Sequence, residues 1–516
     1  MHFWKKENQN GSNKLRNHMI KKILIANRSE IACRIIRTCK EMNIRTVAVY
    51  SEVDENALHV QLADESYFIG SAPASQSYLN QEKIIRVAID TNCDAIHPGY
   101  GFLSENPVFN RKVREAGLIF IGPSPEPTEL LGSKVASREL MIQSGIPVIQ
   151  GMKTSSKNID DFISTAEMIG FPVLIKASAG GGGKGMRIVY RKEELENAIN
   201  SAMRESLAAF GSDEVYLEKY IEQPRHIEFQ VAADHFGNAI HIFERECSIQ
   251  RRHQKIIEET PSTALNAELR KKMGETAIKV VKAAKYDSVG TVEFLVDKNK
   301  NFYFLEVNTR IQVEHPITEM TTGIDLIKLQ IMIADNQPLN IKQEDLKQYG
   351  HAIECRIYAE DSDNDFLPSS GKILYYKPPI GPNVRNDTGI FQGSIVSVFY
   401  DPILAKLIVW GQNREEAINR MILALKDNII LGVKTSTKFM IKCLEHPEFK
   451  KGNTYTDFIS RNMQNHQEKD QKDISIAISA AAYFNHKEKT YEVTVHKSNS
   501  DYNPWLTIGN WEILQS

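Results

Sequence analysis

The sequence predicts an α/β chain, α+β taken as a whole, on three observations. Residues 21–51 read as strand, helix and strand, helices and strands alternate up to about Pro338, and a strand-rich section opens at His351. Ile23 to Ala26 form a short apolar run, and Ile31, Ile35 and Ile36 follow at helical spacing. "TVAVY" from Thr46 is a second buried strand, so the opening is a βαβ unit and predicts a parallel sheet. "CDAIHPGYGFLSEN" and "LIFIGPS" add further strand ends to that sheet. "GPSPEPTELLGS", Gly122 to Ser133, reads as a turn-rich junction. In the last section "YYKPPIGPN" reads as a loop and "REEAINRMILALKDNII" as an amphipathic helix. "NMQNHQEKDQKD" is a polar linker, and the last residues carry little motif information. No internal repeat is visible.

The 516 residues suffice for roughly three domains of about 150 residues. The chain is 42% hydrophobic and 25% charged, an ordinary globular composition with ample core. A net charge of -2 argues against a dedicated nucleic-acid protein or a polybasic membrane binder. Cys33, Cys39, Cys93, Cys247, Cys355 and Cys443 form no CxxC pair, so a reduced compartment is expected and the cytoplasm is the default. The most apolar run, Ile474 to Phe484, is shorter than the roughly 18 residues of a membrane helix and is broken by serines. Residues 1–18 are polar, without a signal-peptide core, and are expected to be a disordered lead with Met19 as a second start. Sparse arginine and an acidic residue make them a poor mitochondrial presequence.

"KASAGGGGKGM", Lys176 to Met186, follows a short strand from Val173 to Ile175. Glycine lets successive backbone N–H groups turn into one concavity and lets a phosphate come close, and flanking lysines add positive charge. A flexible linker is the plain alternative, but linkers seldom leave a strand with a lysine on each side. The spacing is neither a Walker A loop nor a GxGxxG, so the loop by itself indicates phosphate and little more.

"TVEFLVDKNKNFYFLEVNTR" reads as a hairpin with a lysine/asparagine turn. With the turn centred on Asn299 and Lys300, Glu293 faces Glu306 on the adjacent strand and Asn308 shares their face. Two carboxylates and an amide in one patch suit Mg²⁺ or Mn²⁺ bridging nucleotide phosphates. The alternative, two solvated glutamates, is weakened because Val292, Phe294, Leu305 and Val307 fill the other parity while Phe302 and Phe304 crowd the glutamate side. Arg310, Gln312 and Glu314 continue at even spacing, and an extended chain aims them to one side. Beside a metal-phosphate site they offer an anion clamp and a base rather than a plain ion pair. In "SIQRRHQKIIEE" Arg251, His253 and Lys255 alternate with Arg252 and Gln254, which makes one side of a strand basic, with Gln250 on the other parity. His226, alone before a strand, reads as structural.

Taken together, "HPGYGFLSEN", "KASAGGGGKGM", "EKYIEQPRHIEFQV", "SIQRRHQKIIEE", "FLEVNTRIQVEHPITEM", "HAIECRIYAED" and "YDPILAKLI" resemble the biotin carboxylase component of biotin-dependent carboxylases, the acetyl-CoA and acyl-CoA carboxylase family, from about Ile20 to Arg461. The resemblance implies an ATP-grasp fold at residues 134–340 with a mobile lid at about 150–220. It implies a Rossmann-like N-terminal domain at 19–133 and a biotin carboxylase C-terminal domain at 350–461. Residues 462–516 resemble the start of an acyl-CoA carboxylase α-subunit extension. Lys134, Lys176, Glu218, His226, Gln250, His253 and the backbone of Lys219 to Ile221 are then expected to bind ATP, with Gly180, Gly181, Gly182 and Gly183 closing over its phosphates. Glu293, Glu306 and Asn308 would hold two Mg²⁺ or Mn²⁺ ions. Lys255, Arg310, Gln312, Val313 and Glu314 would hold bicarbonate, and Tyr100 and Arg356 would sit by biotin.

The implied reaction is deprotonation of bicarbonate by Glu314, attack on the γ-phosphate, collapse of carboxyphosphate, and capture of CO₂ by a biotin enolate stabilised by Arg356. It is the first half-reaction of an acetyl-, propionyl- or methylcrotonyl-CoA carboxylase. No biotinyl-lysine "AMKM" motif occurs, so a separate biotinylated carrier and a carboxyltransferase subunit are the implied partners, in a homodimer or larger hetero-oligomer. Ser29, where many relatives carry glycine, puts one tight turn in doubt. Another ATP-grasp ligase would keep the lysines and the metal hairpin but lack "RIQVEHP" followed by Arg356. A nucleotide-binding non-enzyme would be expected to have lost one of Glu293, Glu306, Arg310 or Glu314.

Overall fold

The structure is a computed structural model, and it describes residues 20–463, except 153, 179–185 and 253, together with Tyr483. Residues 1–18 and the glycines at 180–183 therefore lie outside the described residues. β1 (Lys22–Ile25), β2 (Arg45–Ser51), β3 (Glu65–Gly70), β4 (Ala95–His97) and β5 (Ile119–Phe120) form one sheet in the order β3-β2-β1-β4-β5. Every pair in it is parallel, as the βαβ opening predicts. Helix α1 (Ser29–Glu41) buries Ile31, Ile35 and Ile36 on one face, with Glu30 in its first turn and Lys40 in its last, each complementing the helix dipole.

The strand order reverses between β1 and β4, and such a switch point opens a crevice at the carboxyl ends of the strands. Asn27 ties that crevice together: its Nδ2 donates to Pro98 O and Tyr100 O, both at 2.7 Å. Ser29, just beyond, has φ +57°, and Gly389 packs so tightly on it that a Cβ there would lie 2.2 Å from Ser29 Oγ. A left-handed residue with a Cβ costs roughly 1–2 kcal/mol, and glycine returns part of that as unfolded-chain entropy. Ser29→Gly is therefore expected to stabilise the protein by about 0.5–1 kcal/mol, read as a higher midpoint in urea.

The junction after β5 is not a loop. Pro125–Gly132 is a helix, because Pro125 sits in its first turn, where the missing N–H costs nothing, and Ser124 N–H bonds Asp287 Oδ1 at 2.7 Å. β6 (Val173–Ala177), β7 (Arg187–Val189) and β8 (Val215–Lys219) then form a small antiparallel sheet, order β7-β6-β8. With helices Ile159–Ile169 and Lys192–Phe210 it encloses its own core around Phe162, Ile175, Ile199 and Leu217.

The largest sheet is antiparallel and eight-stranded. β9 (Arg225–Ala233), β10 (Ala239–Arg251), β11 (Gln254–Thr260), β12 (Val289–Val296), β13 (Phe302–Asn308) and β14 (His351–Tyr358) join strands Ile403–Gly411 and Val384–Thr388, in the order β13-β12-β9-β10-β11-β14-(403–411)-(384–388). Two expectations are corrected here. Glu293 does pair with Glu306, and Thr291 with Asn308, but near the turn the register shifts by one and Phe294 faces Phe304. A bulge at Leu305 absorbs the extra residue and reverses the parity. Phe302 and Phe304 therefore pack with Val292 and Phe294 in the apolar core instead of crowding the glutamates. The second correction concerns the basic run, which is not one strand: the chain reverses between Arg251 and Gln254, so Gln250 and Lys255 are cross-strand partners on one face.

In the last section Tyr375–Lys377 is a strand within the expected loop. The amphipathic helix is Arg414–Asp427, started by Asn413 accepting from Glu416 N–H, and "NII" leaves it to form strand Ile429–Leu431. Among the described residues no helix is long and apolar enough to cross a membrane, and all six cysteines are free and buried.

Candidate active site

The three sheets converge on a cleft of about 1330 Å³. Tyr100 reaches it from the N-terminal sheet, Lys176 and Glu218 from the small sheet, and Lys134 from the helix Lys134–Gln143. The large sheet contributes His226, Gln250, Lys255, Glu293, Glu306, Asn308 and Arg356. Arg310, Gln312, Val313 and Glu314 line the same wall from the irregular segment after β13, which is not an extended strand. Lys219 and Ile221 border it as well, but the Lys219 ammonium turns away, donating to Phe171 O at 2.8 Å and Gly170 O at 3.0 Å. Every candidate residue that the structure describes thus lies on one surface; His253 and the glycines at 180–183 fall outside the described residues.

Lys255 is the hub. Its ammonium donates to Glu228 Oε2 at 2.6 Å, Glu314 Oε1 at 2.7 Å and Glu293 Oε1 at 2.8 Å. Burial alone would lower its pKa, but the three carboxylates outweigh that and hold it well above the ordinary lysine value. Glu293 also accepts from Asn308 Nδ2 at 2.9 Å and Gln312 Nε2 at 2.8 Å. His226 Nε2 lies 2.9 Å from Glu293 Oε2 while its Nδ1 faces Gln250 Nε2 at 2.9 Å. The amide can only donate there, so the proton of a neutral His226 sits on Nε2.

Glu314 is gripped on both oxygens, by Lys255 and, at 2.8 Å, by Nη2 of Arg356. Burial pushes its carboxyl up, yet Lys255 and Arg356 prevail and hold it well below the usual carboxylate range. It is a deprotonated carboxylate at neutral pH. Arg310 is held by Glu105 Oε2 and Asn308 Oδ1, both at 2.9 Å. Lys176 donates to Glu218 Oε2 at 2.6 Å. Burial lowers the Lys134 ammonium and neighbouring Lys176 lowers it further.

Glu306 is raised by burial and then by the charge of Glu293 beside it. The facing carboxylates of Glu293 and Glu306 are hard donors, and a divalent cation would relieve their repulsion, so they fit such an ion; Asn308 beside them presents its Nδ2 to Glu293 and its Oδ1 to Arg310.

Several contributors were not read from the sequence. Glu228 shares a strand face with His226, two residues earlier, and parity could have found it. Arg245 and Glu258 lie inside charge runs that look like solvated faces, and Glu105 is distant in sequence; no local signal marks them.

The family model described as "Biotin carboxylase, N-terminal domain" matches residues 19–127, "Carbamoyl-phosphate synthase L chain, ATP binding domain" matches 133–342, and "Biotin carboxylase C-terminal domain" matches 354–461. The chain is 49% identical over 498 residues to the mitochondrial methylcrotonoyl-CoA carboxylase subunit alpha of Dictyostelium discoideum, covering 96% of this chain and 70% of that one. Against the mouse subunit it is 49% identical over 444 residues, 86% of this chain and 62% of that one, so it spans a little under two thirds of that relative. Biotin carboxylase 1 of Bacillus subtilis is 51% identical over 442 residues, 86% of this chain and 98% of that one. Among solved structures, the biotin carboxylase–β-γ-ATP complex from Campylobacter jejuni superposes with a TM-score of 0.84 at 48% identity, covering 86% of this chain and 99% of that one. The biotin carboxylase domain dimer of Hydrogenobacter thermophilus 2-oxoglutarate carboxylase, in complex with MgADP and bicarbonate, gives 0.84 at 47% identity over 86% of this chain and 98% of that one.

Proposed function

The chain belongs to the biotin carboxylase family of ATP-dependent ligases, and from that premise we propose that it carboxylates N1′ of biotin on a separate carrier protein, using ATP and bicarbonate. The observation that carries the reading is Glu314, a buried carboxylate held between Lys255 and Arg356 at the wall that also presents Glu293 and Glu306. Lys134 and Lys176, which line the cleft, would bind the ATP phosphates, and Glu218 with the backbone of Lys219 to Ile221 would hold adenine. Gly180 to Gly183 would close over the phosphates. His226, Gln250 and His253 would contact the nucleotide.

Glu293, Glu306 and Asn308 would hold Mg²⁺ or Mn²⁺, two ions in the full complex, which supply charge neutralisation on the phosphates. Bicarbonate binds against Lys255, Arg310, Gln312 and the Val313 backbone. As that anion draws on the charge of Lys255, Glu314 becomes more basic and takes the bicarbonate proton. The freed oxygen attacks the γ-phosphorus in line, the bond to ADP breaks, and carboxyphosphate forms. Its C–O bond then breaks to CO₂ and phosphate, phosphate takes the N1′ proton, and N1′ bonds to CO₂. Arg356 steadies the negative charge on the ureido oxygen and Tyr100 borders the ring.

The partners in this reading are a biotinylated carrier and a carboxyltransferase, with the chain itself a homodimer or part of a larger hetero-oligomer. The free cysteines fit a reducing compartment, and we place the protein in the cytoplasm. Domains at 19–133, 134–340 and 350–461, with a lid at about 150–220 and an extension at 462–516, complete the assignment. The test is ADP release from protein, ATP, Mg²⁺, bicarbonate and free biotin, with each omitted in turn. Full release requires all of them; release that is indifferent to biotin or bicarbonate would rule the function out.

A further inference from the structure

We infer that Glu258, a residue outside the cleft, positions Arg356 for the carboxylation step; this rests on the biotin carboxylase reading. Glu258 lies on β11 and is fully buried. Its Oε1 accepts from Nε of Arg356 at 2.6 Å, while Nη2 of the same guanidinium donates to Glu314 Oε2 at 2.8 Å. Two carboxylates therefore grip separate nitrogens of one planar group. A single contact would leave that plane free to turn about it; two contacts fix it.

The sheet explains the placement. β11 and β14 are antiparallel neighbours with Glu258 opposite Glu354, two residues before Arg356, so Arg356 reaches Glu258 from the adjoining strand. Glu258 Oε2 is buried with no hydrogen-bond partner, and both oxygens of Glu354 are in the same condition. Arg356 is thus what Glu258 serves. A buried carboxylate with one partner is a costly way to stabilise a sheet, and apolar residues do that better. Its worth here is the fixed aim of Arg356. Glu258 does not line the cleft, so it acts through Arg356 and touches no substrate.

A double-mutant cycle tests this, with ADP release measured over a range of free biotin in saturating ATP, Mg²⁺ and bicarbonate, and over a range of ATP at saturating biotin. Glu258→Leu, which has no acceptor for Arg356 Nε, should lower biotin-dependent kcat at least about tenfold and leave KM for ATP within about twofold. Glu258→Leu combined with Arg356→Gln should be no slower than Arg356→Gln alone, because both remove the same function. Full activity in Glu258→Leu, or losses that multiply in the double variant, would overturn the inference. A parallel rise in KM for ATP would mark a merely structural role and overturn it too. If Glu258→Leu fails to fold, Glu258→Asp keeps the charge but retracts it, and wild-type kcat in that variant would equally sink the idea. Failure of the function itself would look different: the unaltered protein would show no biotin-dependent ADP release.

Discussion

Glu314→Gln is expected to retain ATP binding and lose bicarbonate-dependent ATP cleavage by about 10²- to 10⁴-fold, the range a positioned general base supplies. The amide matches the carboxylate in shape and cannot take a proton. Lys255 keeps Glu228 and Glu293, and Arg356 keeps Glu258, so no cation is left stranded and the fold survives. In the proposed function Lys134, Lys176 and Glu218 bind the nucleotide, and the pair Lys176–Glu218 makes no hydrogen bond with Glu314. Calorimetry with ATP would therefore look normal while ADP release with bicarbonate collapses. Near-normal turnover would show that Glu314 is not the base. Loss of both binding and turnover would show that its charge only holds the wall together.

The hairpin carrying Glu293 and Glu306 was legible because it is local: turn residues and two short apolar runs place strand against strand within some fifteen residues. Its bulge was not, since one extra residue shows up only as the parity that core packing accepts, and Phe302 and Phe304 joined the core. The turn at Arg252 was hidden for a related reason. A run of charges has no hydrophobic alternation to break, so a reversal leaves no mark in it. The long-range partners were beyond any local pattern. Arg310 finds Glu105 at a separation of 205 residues and Arg356 finds Glu258 at 98, and only the assembled sheets choose among the many acidic residues available. The family resemblance supplied the cleft's residues, but not the carboxylates that stand behind them.

Arg245→Ala is expected to destabilise the protein by about 3–5 kcal/mol or more, because it removes a buried charge that ties several elements to the large sheet. Arg245 is completely buried and donates to Glu228 Oε1 and Gln230 Oε1, each at 2.6 Å, to Gln312 Oε1 at 2.8 Å, and to Thr291 Oγ1 and Thr318 Oγ1, each at 3.0 Å. Those groups come from β9, β12, the segment after β13 and the helix His315–Thr322. Removing one guanidinium leaves Glu228 with Lys255 as its remaining cation and several dipoles unsatisfied together, and each buried polar group so orphaned costs roughly 1–3 kcal/mol. Against a total stability of about 5–15 kcal/mol, that loss removes a large share of the margin. Arg245→Lys should recover only a minor part, since one ammonium has three donors and cannot span five acceptors. Arg245→Met with Glu228→Gln should recover more, because it fills the volume and removes the charge of a carboxylate that has lost one of its two cations. Urea unfolding of the three variants checks the order, and a loss below about 1 kcal/mol for Arg245→Ala would contradict it. The consequence reaches the cleft: Gln312 and Glu228 also bond Glu293 and Lys255, so loosening Arg245 frees both from one shared support.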